Sequence, residues 1–362
     1  MARSARKVTG GVDTHGETHH AAVVDAVGRQ LADREFPTTP RGYRALLSWL
    51  AGFGRLVRVG VEGTGAYGAA LSRFLRSEGI HVVEVDRPDR RTRRATGKSD
   101  PIDAYAAALA ALSGRAAGIP KSRDGKVEAI RALRVTRRSA VKARTQAINQ
   151  LRALLLSGPA ELREQLRGLS TSRLIDTCAR MRPTADLADP VQATKTALRR
   201  LARRYQQLHE EIRELDAELA PLITATAPEL LALPGVGIEV AGQLLTTTGD
   251  NPDRLHSEAA FAHLCGVAPI PASTGRTHRH RLNRGGDRAA NTALHTIALS
   301  RLRWDPRTRA YLARRRAEGL TKPEAMRCLI GELSGARLED RVVIPSVVPG
   351  DGPVAVPLRW PV

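Results

Sequence analysis

The order of apolar and polar positions gives the first half of the chain a clear sequence of elements. From Val8, three strands follow in a row, VTGGVDTH, HHAAVVDAVG and RQLADREFPTT, separated by short turns holding Gly16 and Gly28, so two hairpins are predicted. Tyr43, Leu46, Leu47 and Leu50 recur at helical spacing and predict a helix over Pro40 to Phe53. LVRVGVE has the character of a buried strand and runs into GTGAYGAALSRFLRSEG, a Gly-rich turn opening a helix. IHVVEVD is a fifth strand, and after a basic loop KSDPIDAYAAALAAL begins an Ala-rich helix.

Three antiparallel strands followed by alternating helix and strand is the order of a ribonuclease H-like mixed sheet, an α/β domain placed at about residues 6–120. Beyond it the pattern turns helical. From Asp124 to Ser157, Val127, Ile130, Val141, Ile148, Leu151 and Leu155 are spaced among many arginines, and a Pro- and Leu-containing linker follows. Leu198, Leu201, Tyr205, Leu208, Ile212, Leu215, Leu219 and Leu222 then alternate spacings of three and four, a heptad seam that needs a partner helix. Either an antiparallel return onto the 124–157 helix or a homodimer satisfies it, and the reading taken is a coiled-coil region at 121–226 that brings subunits together. In ELLALPGVGIEVAGQLLTT a Gly-Val-Gly turn separates two short apolar helices, the pattern of a helix-hairpin-helix. It opens a mostly α C-terminal domain, 227–335, with a helix starting near Asp287 and further helices at about 307–317 and 321–335. A Pro- and Val-rich tail occupies 336–362.

Composition narrows the class of partner. The 362 residues suffice for two or three domains with real cores, and no apolar run approaches a membrane span. The basic N-terminus lacks the apolar segment of a secretory signal. Cys178, Cys265 and Cys328 are far apart and odd in number, which fits reduced thiols in a cytoplasm and offers no zinc spacing. The expected compartment is therefore the cytoplasm. Fifty-seven Lys and Arg against 37 Asp and Glu leave a net charge of +20, and the charge comes in blocks. An arginine-rich proteome would raise the charge without any ligand, but blocks of guanidinium match phosphate and point to nucleic acid. Aromatic residues make up 3%, so base stacking is not the main mode of binding.

Candidate chemistry starts at the Ala-rich helix. With Asp100 as N-cap and Pro101 at the first helical position, Asp103 falls on the same first turn, and the two carboxylates can face one point. An acidic helix start also complements the helix dipole without any metal. Asp13 inside the first strand and Glu62 at the end of the fourth are poor half-buried strand residues unless a cation pairs with them. That cation could be an arginine or a pair of magnesium ions held by Asp13, Glu62, Asp100 and Asp103. His15, His19 and His20 are read as strand-surface residues. Beside the acids, DRPDRRTRRATGKSD carries Arg87, Arg90, Arg91, Arg93, Arg94 and Lys98, suited to phosphate. The hairpin glycines, Gly235 and Gly237, could offer backbone N–H groups to DNA phosphates, or could simply let two helices pack closely. Ser273 lies in a small-residue loop ahead of Arg276, Arg279, Arg281 and Arg284; it could be a nucleophile or a hydrogen-bonding turn residue.

Taken together, GVDTH, VEGTG, KSDPIDA, LPGVG and PIPASTG followed by RHRLNRGGDRAANTALH resemble the DEDD-type transposases of bacterial insertion sequences, the bridge-RNA-guided recombinases, over residues 8–335. The resemblance implies a RuvC-like N-terminal domain and a C-terminal serine domain. It implies that Asp13, Glu62, Asp100 and Asp103 bind magnesium and that Ser273 is the attacking hydroxyl. The family's loop reads Ser-Ser-Gly or Ser-Thr-Gly, and here Thr274 takes the second place. It further implies DNA partners (element ends and target), a non-coding bridge RNA and a homo-oligomer, dimer or tetramer. The expected activity is strand cleavage and exchange through a phosphoserine link, with Ser273 of one subunit meeting the acids of another. A RuvC-like junction nuclease or DNA invertase would keep the acids without needing Ser273, and an arginine-rich architectural protein would need neither.

Overall fold

The computed structural model describes residues 6–85, 99–273 and 280–334. By their own contacts the described residues divide into two compact units, one formed by 6–85, 99–125, 247–273, 280–288 and 331–334 and the other by 126–246 and 289–330.

The first unit is built on the expected strands: β1 (Lys7–Thr14), β2 (Thr18–Asp25), β3 (Gln30–Pro37), then α1 (Pro40–Ala51), β4 (Arg55–Glu62), α2 (Ala69–Ser77) and β5 (Val82–Val85). The sheet order is β3-β2-β1-β4-β5, with β2 antiparallel to its neighbours and β1, β4 and β5 parallel. Asp13 pairs with His20 and Val12 with Val61, so the ends of β1 and β4 lie side by side as expected. Strand residues alternate between faces, and one face carries Val8, Val12, Ala21, Val23, Val59 and Val61 against Tyr43, Leu46 and Leu50 of α1 and Leu71 and Leu75 of α2.

The opposite face receives α3 (Asp100–Leu112). Here the sequence explains an unusually close contact. Ala104, Ala107, Ala108 and Ala111 are buried, and they meet strand positions without side chains. A Cβ at Gly11 would sit 2.2 Å from the Ala104 carbonyl oxygen, and one at Gly60 2.5 Å from that of Ala107. Helix backbone thus rests nearly on strand backbone. Both sheet faces are covered, so β1 is buried along almost its whole length.

The start of α3 differs from the sequence reading. Ser99, in extended conformation, is the N-cap; Asp100 is the first helical residue and Pro101 the second. The first helical bond runs from the Asp103 N–H to the Ser99 carbonyl at 3.1 Å. Capping by Asp100 would turn its carboxylate back onto the helix N–H groups, whereas here it faces His15. His19 also differs from the strand-surface expectation: it is fully buried and stacks on Tyr43 at 5.7 Å. His20 is half-buried, with its Nε2 2.7 Å from Asp33 of β3.

In the second unit two long helices, α4 (Lys126–Ser157) and α7 (Pro190–Thr226), pack along one another. Arg137 pairs with Asp216, Arg144 Nη1 lies 2.9 Å from His209 Nδ1, and a Cβ at Gly158 would be 3.3 Å from Thr194, so the pair is antiparallel. The seam therefore has a partner within its own chain, the antiparallel return, where the sequence reading favoured dimerisation. The buried stripe follows Leu198, Ile212, Leu215 and Leu219 but shifts at its end from Leu222, which is exposed, to Ile223, which is fully buried. A straight helix turns 3.6 residues at a time and drifts off a strict heptad. The segment read as a linker holds two more helices, α5 (Ala160–Leu166) and α6 (Thr171–Ala179). Leu166, Leu174, Ile175 and Cys178 form a local core with Ile148, Leu151, Leu198 and Ala202. Short apolar runs between prolines concealed them.

After α7 come α8 (Pro228–Ala232) and α9 (Ile238–Thr248), joined by a turn in which Gly235 takes φ +85°, a conformation that favours glycine. Arg134 is 4% exposed and binds this second helix. Its Nη1 donates to the Glu239 carbonyl at 2.9 Å, and its Nη2 donates to Glu239 Oε1 and Gln243 Oε1, each at 3.0 Å. Returning to the first unit, α10 (Glu258–Leu264) is followed by a two-residue ladder, β6 (Ile270–Pro271) with β7 (His280–Arg281). Further along the chain α11 (Arg288–Trp304), α12 (Pro306–Ala317) and α13 (Lys322–Ser334) match the helices expected there, with α12 wholly in the second unit. Among the described residues, no helix is long and apolar enough to cross a membrane.

Candidate metal centre

Gly11 and Gly60 face α3, and two residues further along each strand Asp13 and Glu62 project from that same face. Because α3 runs against the strand direction, its first turn lies at their end of the sheet. Asp13, next to last in β1, is 7% exposed, while Glu62 closes β4 and is half-buried. The Thr14 hydroxyl donates to the Glu62 carbonyl at 2.8 Å and fastens the two strand ends together. On α3, Asp100 opens the helix and Asp103, one turn further in, is buried.

Among the described residues one group brings metal-ligating atoms within 4.8 Å of one another: Asp13, His15 and Asp100. His15 Nε2 lies 3.1 Å from Asp13 Oδ2 and 3.5 Å from Asp100 Oδ1. Two of the four expected acids therefore converge, across a long sequence separation, while Glu62 and Asp103 stand at the same end of the face outside that group. The sequence reading missed His15. Its signal is spacing: Asp13 and His15 are two apart at a strand end, the interval that returns a side chain to the same face. Carboxylate oxygens suit a hard divalent cation such as magnesium, and imidazole either ligates a softer ion or hydrogen-bonds a ligating carboxylate. The donor set fits a divalent ion.

The segment behind β5 is held by a polar network. Glu84 of β5 accepts from the Thr64 hydroxyl in the turn after Glu62, and its other oxygen is 3.5 Å from Arg254 Nη2. Arg254 Nε donates to the Ile119 carbonyl at 2.9 Å, and Asn251 bonds both the Pro120 carbonyl and the Ser122 N–H. Arg123 donates to the Gly65 carbonyl at 2.7 Å. Burial among these charges pushes the Lys121 ammonium down to about 8, with Arg254 adding to the effect. This network was not legible in the sequence.

Ser273 is exposed, just beyond β6. Arg281 and Arg284 are also exposed. Arg87, Arg90, Arg91, Arg93, Arg94, Lys98, Thr274, Arg276 and Arg279 lie outside the described residues. In the hairpin, a Cβ at Gly235 would meet Arg301 Cγ at 3.2 Å and the Ile297 carbonyl oxygen at 3.3 Å, so this glycine serves close packing, whereas Gly237 is exposed with open space around it. Cys178 and Cys265 are buried, which pushes their thiols up to about 11 and about 12.

Comparison with known proteins joins the two ends of the chain. Residues 10–158 match the family DEDD_Tnp_IS110, described as a transposase, and residues 227–313 match the transposase IS116/IS110/IS902 family. An IS110 insertion-element 43.6 kDa protein of Streptomyces coelicolor is 35% identical over 35% of this chain and 32% of its own length. An IS900 42 kDa protein of Mycobacterium paratuberculosis is 30% identical over 38% of this chain and 35% of its own. The transposase of insertion sequence IS1328 from Yersinia enterocolitica is 31% identical over 50% of this chain and 51% of its own. The chain thus spans between a third and a half of the length of these relatives in the matched stretches. With one matched region covering Asp13, Glu62, Asp100 and Asp103 and the other covering the glycine hairpin and Ser273, the chain belongs to the DEDD-type insertion-sequence transposases.

Proposed function

We propose that this chain cuts and rejoins DNA at the ends of an insertion sequence, using a divalent-metal site on a ribonuclease H-like, RuvC-type sheet together with the hydroxyl of Ser273. The observation that carries the reading is the convergence of Asp13 and Asp100, which β1 and α3 bring within ligand distance of one ion. The strand order β3-β2-β1-β4-β5 supports the fold assignment. Asp13, Glu62, Asp100 and Asp103 would hold magnesium, as one ion or two, and His15 would orient the Asp13 and Asp100 carboxylates. Such an ion, when bound, supplies positive charge to the scissile phosphate and to the departing oxygen.

The chain's own groups do the rest. Ser273 Oγ forms a bond to phosphorus as the bridging P–O bond of the DNA breaks. The serine proton leaves to a carboxylate or water, and the departing DNA oxygen is protonated in turn. The phosphoserine link conserves the phosphodiester, so a second strand end can reverse the step without ATP. Basic runs from Arg90 to Lys98 and from Arg276 to Arg284 bind phosphate, a helix-hairpin-helix presenting Gly237 grips the duplex, and a non-coding bridge RNA supplies sequence recognition by pairing. Subunits assemble as a dimer or tetramer, so that one subunit's Ser273 serves another's acids.

The test is to incubate the full chain with magnesium and element-end DNA and look for a denaturation-resistant protein–DNA adduct. The reading expects the adduct in wild type and none in Ser273→Ala, Asp13→Ala or excess chelator. Mixing Ser273→Ala with Asp13→Ala should restore it if the site is shared between subunits. Strand cleavage that survives Ser273→Ala would identify a simple nuclease instead.

A further inference from the structure

The second unit carries a charged surface that none of the sites above includes. Helix α12, PRTRAYLARRRA, contains five arginines and no acidic residue. Asp305 caps it, with its carboxylate accepting from the Arg307 and Thr308 N–H groups. Thr308 is buried and Tyr311, Leu312 and Arg315 are half-buried, which fixes the inward face. Arg307, Arg309, Ala310, Ala313, Arg314, Arg316 and Ala317 are exposed.

Their placement around the helix is ordered. At about 100° per residue, Arg307 and Arg314 fall within about 20° of each other, as do Arg309 and Arg316. The two columns stand about 160° apart, and Ala310, Ala313 and Ala317 fill the outward strip between them. Each column thus holds two guanidinium groups spaced about 10 Å along the axis. Arg314 lies over the Tyr311 ring at 5.3 Å, which limits its freedom. Glu318, just past the helix end, lies 3.9 Å from Arg314 and 2.7 Å from Arg315.

A smooth ridge with cations on both flanks suits a groove whose two walls are phosphate. A helix with its side chains is about 10–12 Å across, and the major groove of B-form DNA is about 12 Å wide. The corresponding groove of A-form RNA is too narrow to admit it. We propose that α12 lies in the major groove of duplex DNA, with Arg307 and Arg314 on one backbone, Arg309 and Arg316 on the other, and the alanine strip facing the base edges. This goes beyond the catalytic reading and needs no strand chemistry.

The test uses the full chain and a labelled DNA duplex, with affinity measured as a function of salt. Arg309→Gln with Arg316→Gln should lower the slope of log affinity against log salt by about two, and Arg307→Gln with Arg314→Gln by about the same. Ala313→Tyr, which changes no charge, should weaken duplex binding several-fold while leaving that slope in place. Methyl green, a major-groove ligand, should displace the protein where netropsin, a minor-groove ligand, does not. Circular dichroism confirms that each variant keeps its helices. Wild-type slopes in both arginine pairs, equal competition by an RNA duplex, or displacement by netropsin alone would overturn the proposal. Normal groove binding without adduct formation would refute the catalytic reading and leave this one standing.

Discussion

Gly11→Ala tests how the sheet and α3 create the acid site. In the wild type a Cβ at this position would lie 2.2 Å from the Ala104 carbonyl oxygen and the Ala108 nitrogen, and 2.7 Å from the Ala108 Cα. Ordinary contact begins near 3.4 Å, so α3 and β1 must separate by about 1.2 Å to admit one methyl group. The clash is with helix backbone, so no side-chain rotation relieves it. Overpacking of this kind costs about 1–3 kcal/mol, which urea denaturation would register. The larger effect should be on chemistry, because Asp100 opens the displaced helix and Asp13 stays on the strand. A misplacement of about 1 Å can cost about a hundredfold in rate, so adduct formation with element-end DNA should fall by about that factor in folded protein. Gly118→Ala is the control: its added methyl would meet Glu84 Cβ at an ordinary 3.5 Å. Adduct formation by Gly11→Ala within about twofold of wild type would refute the argument that close backbone packing sets the distance between Asp13 and Asp100.

Other perturbations probe separate parts of the molecule. His15→Ala, which removes the imidazole between Asp13 and Asp100, should weaken divalent-ion binding by about 10–100-fold by calorimetry, and unchanged affinity would exclude His15 from the centre. Arg134→Ala leaves the carbonyl and side chain of Glu239 and the side chain of Gln243 without their buried donor and should cost about 3 kcal/mol, whereas Glu239→Gln, at a half-exposed carboxylate, should cost less than about 1 kcal/mol. Burial holds the His19 imidazole below its ordinary range. The unfolded chain therefore binds more protons than the folded one below the ordinary histidine pKa, and stability present above about pH 6.5 should fall as the medium is acidified. His19→Leu should flatten that part of the pH–stability curve, and an unchanged slope would show that another group is responsible.

Much of the sheet unit was legible because its elements have strong local signals. The strand runs, the α1 spacing and the Ala-rich α3 are all short-range patterns, and they appear in the expected order. The helices α5 and α6 were not legible, because seven- and nine-residue segments beside prolines carry too little periodicity to stand out. The N-cap of α3 was misplaced by one residue because Ser99 and Asp100 are both good caps, and the choice depends on what the Asp100 carboxylate meets. That partner, His15, lies in another part of the chain.

What the sequence determined by itself was the kind of each element, the excess of positive charge and the supply of acidic side chains. Period and composition are properties of neighbours along the chain. Tertiary structure decided which of those pieces meet: that the α7 seam closes on α4, that Gly11 and Gly60 let α3 lie against the strands, and that Asp13 finds Asp100 and His15. Adjacency between distant segments depends on which faces can be buried together, and one stretch of sequence carries only its own half of that fit.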